Sequence, residues 1–247
     1  MAQTSSKAAI VTGAGSGVGR DTALLLAEAG YNVTLVSRTA ADLEATAETV
    51  RRETGAQVDL LVAPADVTDS AAVDAVVEKA LERFGRVDAV ANCAGSAPLQ
   101  PLDRLTDQTI DAAIAVNLKS VIYTTRAVWP AFRRQHAAGA TSGGAICSVS
   151  SMASIDPFTG FNVYAAAKAG VNLFTKAAAD EGRQMGVVCA AVAPGAIETP
   201  MLRENFPEKL IPADKTLDPM DVAGVIRDVL TGSRAVEPGE TIVLPSP

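Results

Sequence analysis

Short, continuous apolar runs alternate along the chain with longer stretches in which apolar residues recur every three or four positions. The runs at 8–11, 32–36, 58–62, 87–91, 145–149, 187–193 and 241–244 read as strands buried on both faces. Between them, 18–29 carries Ala23, Leu24 and Ala27 at helical spacing and stops at Gly30. A second helix runs through Leu43, Ala47 and Val50, with Thr39 as candidate cap and Gly55 as stop. A third runs through Val73, Val76, Val77, Ala80 and Leu81 to Gly85, capped by Thr68 or Asp69. The spacing predicts a long helix from 107 to about 138, another over 162–185, and a last one opened by Asp218-Pro219 and carrying Val222, Val225, Ile226 and Val229. The stretch 195–217, with Pro200, Pro207 and Pro212, follows no period.

Strands that alternate with helices and are apolar throughout imply a parallel sheet covered on both faces. Right-handed crossovers then give an α/β, doubly wound open sheet. No linker, repeat or low-complexity run interrupts it, so 1–247 reads as one domain with a flexible N-terminal tail at 1–6. Ligands of such sheets bind beyond the carboxyl ends of the strands, which makes 195–217 the candidate substrate loop.

Composition narrows the chemistry. With 48% hydrophobic but only 4% aromatic residues, the core is aliphatic and globular. A formal charge of −7 argues against nucleic acid or an anionic membrane as partner, and no run is long and apolar enough to span a bilayer. Cys93, Cys147 and Cys189 lie far apart and His136 is the only histidine, so no metal site is expected. Unpaired thiols suit a cytoplasmic protein. Cys147 and Cys189 fall in strands and read as core, and Cys93 has no base beside it, so a nucleophile role is not expected. His136, Arg133 and Arg134 suit a helix C-terminus.

The first strand runs into Thr12-Gly13-Ala14-Gly15-Ser16-Gly17-Val18-Gly19. No Gly-Lys-Ser/Thr follows, and Val18 breaks a GxGxxG reading, but the segment fits TGxxxGxG. Gly13, Ser16, Gly17, Val18 and Gly19 are the candidate cradle for a dinucleotide pyrophosphate at a helix N-terminus. The alternative is a glycine-rich turn with no ligand. At the end of the second strand, NAD sites place an acid for the ribose 2′-hydroxyl and NADP sites an arginine. The chain has Ser37-Arg38, so NADP(H) is favoured over NAD(H). The competing reading makes Arg38 a solvated residue before a helix.

These motifs resemble the short-chain dehydrogenase/reductase family in its short single-domain form, which implies a Rossmann-type sheet. The resemblance spans nearly the whole chain. It includes Asp66-Val67, whose aspartate meets adenine in the family, and Asn92-Cys93-Ala94-Gly95, similar to the family's NNAG. It continues with Asn117, Ser150-Ser151, Tyr164-Ala-Ala-Ala-Lys168, and Pro194-Gly195-Ala-Ile197-Glu-Thr199-Pro200. In the family, the backbone and threonine of that last segment meet the nicotinamide carboxamide.

Four residues would then carry the chemistry. An ordinary tyrosine, with a pKa of about 10, is a poor acid–base at neutral pH. Lys168 follows Tyr164 by one helical turn and is expected to lower that pKa. The resemblance also has it bond the nicotinamide ribose. Ser151, at the family's spacing from Tyr164, is preferred over Ser150 for holding the substrate oxygen. Asn117 would hold a water linking Lys168 to solvent, or simply bond its own helix backbone; a mid-helix kink would allow both. The chain departs from the family at Ser154, where a glycine is common, and over Pro238 to Pro247.

The expected function is an NADP(H)-dependent carbonyl reductase or alcohol dehydrogenase acting on a small molecule. The rivals are the same enzyme with NAD(H), and a non-catalytic cofactor-binding sensor. Leu99, Phe158, Phe161, Met201, Leu202, Phe206, Leu210 and Ile211 either line an apolar substrate pocket or pack a lid. A homodimer through the long helix and the Tyr164 helix, or a homotetramer, is what the resemblance implies.

Overall fold

In the computed structural model, which describes residues 6–55, 58–140 and 142–247, seven strands form one parallel sheet. The strands are β1 (Ala8–Thr12), β2 (Asn32–Ser37), β3 (Leu60–Pro64), β4 (Ala89–Asn92), β5 (Gly144–Val149), β6 (Val187–Pro194) and β7 (Thr241–Leu244). The helices are α1 (Gly17–Glu28), α2 (Ala40–Thr54), α3 (Ser70–Phe84), α4 (Asp107–Ile114), α5 (Ser120–Ala137), α6 (Asn162–Gly182), α7 (Pro200–Asn205) and α8 (Pro219–Thr231). The spatial order β3-β2-β1-β4-β5-β6-β7 is the doubly wound arrangement expected from the alternation. Of the expected N-terminal tail, residues 1–5 lie outside the described residues.

The strand side chains alternate between two cores. Ala9, Val11, Ala91, Cys147 and Val192 pack beneath α1, α2 and α8, and the residues between them, Ile10, Val90, Ile146 and Cys189, pack with α3, α5 and α6. Fully buried side chains such as Leu26, Leu35 and Ile226 each contribute about 1.5–3 kcal/mol. Of the candidate caps, Asp69 accepts the N–H groups of Ala71 and Ala72, whereas Thr39 sits at its N-cap without a side-chain bond.

Three boundaries differ from expectation. β4 begins at Ala89, not 87, because the Gln135 side chain bonds both the N–H and the C=O of Val87 and takes it from the ladder. β3 begins at Leu60, not 58. The single long helix is two, joined by a π-helical turn over Ala115–Lys119 in which the Ser120 N–H bonds back five residues to Ala115. The aperiodic stretch 195–217 contains the short α7, opened by Thr199, whose hydroxyl accepts the Leu202 N–H.

The crossovers reverse direction between β1 and β4, which are neighbours in register with Thr12 opposite Asn92 at their carboxyl ends. A crevice at such a reversal is where ligands of this fold bind.

Candidate active site

The turn after β1 is built for close approach. At Gly13, φ is +69° and an added Cβ would lie 2.9 Å from both the Cys93 carbonyl carbon and the Ala94 nitrogen. The Thr12 hydroxyl locks this junction by accepting the N–H groups of Cys93 (3.1 Å) and Ala94 (3.2 Å). A Cβ on Gly19 would lie 2.2 Å from the Gly13 carbonyl oxygen. Over Gly17 the space is bounded by the Thr199 methyl, 3.2 Å from an added Cβ. Ser16 caps α1 in extended conformation without a side-chain capping bond. The first-turn N–H groups behind it have no intrahelical partner. A helix N-terminus bordered by glycines fits a dinucleotide pyrophosphate.

The adenosine end lies at β2 and β3. Ser37 and Asp42 wall Gly15, whose added Cβ would come within 3.1 Å of the Ser37 hydroxyl and 3.0 Å of the Asp42 Cβ. Arg38 is exposed and makes no hydrogen bond or ion pair among the described residues. Asp66 accepts the Thr68 N–H (2.9 Å) and hydroxyl (2.7 Å). Those bonds, with the nearby Arg38 charge, hold its carboxyl below the usual range. Val67 is buried beside it. Asn92 is buried at the end of β4, donating to the Ser148 hydroxyl (3.1 Å), and its Oδ1 has no partner among the described residues.

The candidate catalytic groups converge at Gly95. An added Cβ there would crowd Asn117 Oδ1 at 2.9 Å and stand at ordinary contact distance, 3.5 Å, from Lys168 Nζ, so the glycine lets Asn117 reach the loop after β4 beside Lys168. Asn117 sits in the π turn with no exposure. Its Nδ2 donates to Ser96 O (2.9 Å) and Ala113 O (3.0 Å), and its Oδ1 accepts the Ser96 N–H (3.2 Å). The bond to Ala113 O is the expected bond to its own helix backbone, and the helix is broken there. Lys168, 3% exposed, donates to the Val149 carbonyl at 2.7 Å. Burial pulls its pKa from 10.5 down to about 8.

Ser151 and Ser150 divide their tasks. Ser150 is buried and its hydroxyl donates to the Lys168 carbonyl (3.2 Å). Ser151 caps a short turn, accepting the Ala153 N–H (3.1 Å), and its hydroxyl faces the Tyr164 phenol. One expectation is corrected. Tyr164 is raised above its ordinary 10, not lowered, because burial outweighs the Ser151 hydroxyl. Lys168 Nζ stands 5.8 Å from the Tyr164 ring centroid and is turned to Val149 instead.

Pro194 ends β6, and the segment beyond it crosses the mouth of the site. Gly195 continues the ladder to β7, Ile197 bridges Leu217, and the Thr199 hydroxyl donates to Ile197 O (3.2 Å). Of the eight candidate pocket residues, Phe161 and Phe206 reach the centre. Phe161 lies 5.2 Å from the Tyr164 ring and 5.9 Å edge-on from Phe206. Phe158, Met201 and Leu210 stay exposed at the rim, Leu202 and Ile211 are partly exposed on the loop, and Leu99 packs against Gly160.

Several organising residues carry no sequence signal. The Ser154 hydroxyl donates to Ser151 O (2.6 Å) and accepts from Asn172 (2.9 Å), so this departure from the family's glycine braces the catalytic turn. Arg203 pairs with Glu198 and donates to the carbonyls of Phe206 (3.2 Å) and Ile211 (2.7 Å), gathering the loop around one guanidinium. Asn205 fastens α7 to the Ala97 carbonyl at 2.8 Å. Cys93, pushed up to about 12 by burial, is no nucleophile.

Residues 7–210 match the short-chain dehydrogenase family model. The chain belongs to the short-chain dehydrogenase/reductase family. A Streptomyces virginiae protein named for the ketoacyl reductase of monensin polyketide synthase is 36% identical, with 92% of this chain and 90% of that protein covered. A variant of the actinorhodin polyketide ketoreductase with NADPH superposes with TM-score 0.87 at 27% identity, covering 99% of this chain and 98% of that one. The 3-ketoacyl-(acyl-carrier-protein) reductase from Brucella melitensis, complexed with NADH, gives 0.84 at 31% identity and 96% of each chain. This reductase-family chain is thus a nicotinamide-dependent oxidoreductase of the CH–OH class on a single-domain Rossmann-type sheet. Among the described residues there is no metal-ligating cluster, and no helix is long and apolar enough to cross a membrane.

Proposed function

We propose that the chain reduces a ketone with NADPH, using Tyr164 as general acid. The observation that carries this reading is the meeting of Asn117 and Lys168 over Gly95, with Ser151 facing Tyr164. The cofactor, when bound, supplies the hydride. The chain's own residues supply the rest. Tyr164, kept protonated at neutral pH by burial, donates its proton to the substrate oxygen as charge develops there. Ser151 donates a second hydrogen bond to that oxygen. Lys168 is buried with its ammonium on Val149 O in the unloaded site, from which it would turn to the nicotinamide ribose when the cofactor is bound, and the broken helix at Asn117 offers a route for a water to restore the proton. The loop 195–217 closes the pocket with Phe206 against Phe161, which suits a carbonyl carried on an apolar body. The ketoreductase names of the relatives point the same way.

Arg38, exposed beside Ser37 and with no hydrogen bond or ion pair among the described residues, supports NADPH because a guanidinium fork matches a 2′-phosphate. Asp42 supports a second reading with NADH, since the Cβ of this acidic residue walls Gly15 beside Ser37. Titrating purified, cofactor-stripped protein with both nucleotides decides between them. Tyr164→Phe tests the chemistry: turnover is expected to fall by about 10²–10⁴-fold with cofactor binding kept, and near-parental turnover would refute the assignment. Three unpaired cysteines support a reducing, cytoplasmic setting, and Leu173, 71% exposed on α6, supports a homodimer or homotetramer.

A further inference from the structure

The segment after β7 bears directly on the part of the loop assigned to the nicotinamide. Pro194 and Leu244 form the last pair of the β6–β7 ladder, and the Gly195 N–H donates to Leu244 O at 2.8 Å. Pro245 has no N–H to carry the ladder on. Ser246 takes over with its side chain: its hydroxyl accepts the Ala196 N–H at 2.7 Å and lies 3.4 Å from the Ala196 carbonyl. That carbonyl also accepts the Leu217 N–H (2.8 Å), while the Glu198 N–H donates to Leu217 O (2.9 Å). The Ala196 peptide is thereby gripped from both sides. Gly195 makes the grip possible, because an added Cβ would lie 2.3 Å from the Ser246 hydroxyl and 2.8 Å from its nitrogen. One residue beyond the grip comes Ile197, and then Thr199, whose methyl lies over Gly17 in the phosphate turn.

We propose that Ser246 is a positioning residue for the nicotinamide end of the cofactor site. It fixes the Ala196 peptide and so sets where the Ile197 backbone and the Thr199 side chain stand relative to the phosphate turn. The proposal rests on the cofactor reading above, and it concerns only the half of the cleft away from Arg38 and Asp66. A defect at Ser246 should therefore be felt by a dinucleotide and not by its adenosine half.

The test is Ser246→Ala in the full chain, with dissociation constants measured for NADPH, NADH and adenosine 2′,5′-bisphosphate. Losing one hydrogen bond of ordinary strength should weaken both dinucleotides about five- to tenfold and leave the bisphosphate unchanged. KM for the cofactor should rise by more than kcat falls. Ser246→Thr, which keeps the hydroxyl, should restore binding, and Gly195→Ala, which crowds the same contact, should reproduce the loss. Unchanged dinucleotide binding in Ser246→Ala overturns the proposal while leaving the cofactor reading intact. Equal weakening of dinucleotide and bisphosphate also overturns it, since that is the mark of general loosening. A parent chain that binds none of the three overturns both readings.

Discussion

Replacing Lys168 by methionine should change the pH dependence of stability by an amount that can be worked out from its burial. The ammonium is 3% exposed and burial holds its pKa at about 8 against an ordinary 10.5. Below pH 8 the lysine is charged in both folded and unfolded chains, so the full cost of burying the charge is present. Between pH 8 and 10.5 the folded form is neutral while the unfolded form still binds its proton, and each pH unit recovers about 1.4 kcal/mol. Above 10.5 both forms are neutral and the cost has gone. Lys168 therefore costs about 3 kcal/mol at neutral pH, and this is relieved as pH rises. Methionine removes that titration. It also forfeits the 2.7 Å bond to Val149 O, which shifts the level of stability but not its slope. The measurement is equilibrium urea unfolding of both proteins, without cofactor, from pH 7 to 10.5. The stability of Lys168→Met relative to the parent should fall across this window by about 3 kcal/mol. Cys189, raised by burial alone, cancels in the difference, and a Cys93→Ala background in both proteins removes the one thiol that the Lys168 charge touches. A difference that does not vary with pH would refute the claim that the site holds a charged lysine at a cost.

Arg38→Ala should weaken NADPH about tenfold or more, the worth of a charge-assisted phosphate contact, and leave NADH within about twofold; parallel titrations check it, and equal loss of both would remove Arg38 from the 2′-phosphate. Gly95→Ala should push Asn117 away from the loop after β4 and from its neighbour Lys168, since the added methyl would stand 2.9 Å from Asn117 Oδ1. Turnover should fall by at least about tenfold while circular dichroism stays parental; a fully active variant would mean the two side chains need not meet there.

The doubly wound parallel sheet was legible because the cue is local. A strand in the middle of such a sheet is apolar at most positions, and the apolar runs of β1, β2, β5, β6 and β7 fall within one residue of their observed limits. The site motifs were legible for a related reason. In a doubly wound sheet the ligand lies at strand ends, so Thr12–Gly19, Ser37-Arg38, Asp66, Asn92–Gly95 and Ser151 each follow an apolar run directly. The boundary at Val87 was not legible, since what ends the strand is a glutamine 48 residues away.

The same division runs through the chemistry. Which residues meet is written in spacing, but which state they hold is set by surroundings. The Tyr164–Lys168 spacing puts both groups on one helix face and suggests a lowered phenol pKa. The folded site turns the ammonium to Val149 and buries the phenol, so the pKa moves the other way. The loop gives the second case. Three prolines made 195–217 look irregular, yet Thr199, Glu198, Arg203 and Asn205 give it a capped helix, an ion pair, two carbonyl contacts and an anchor to Ala97. Most of these bonds are local, joining residues three to eight apart, whereas the Asn205 bond reaches across 108 residues to Ala97. The order inside this loop is therefore local but aperiodic, and it is the loop's placement beside the strand ends, through the bond of Asn205 to Ala97, that spacing does not reveal.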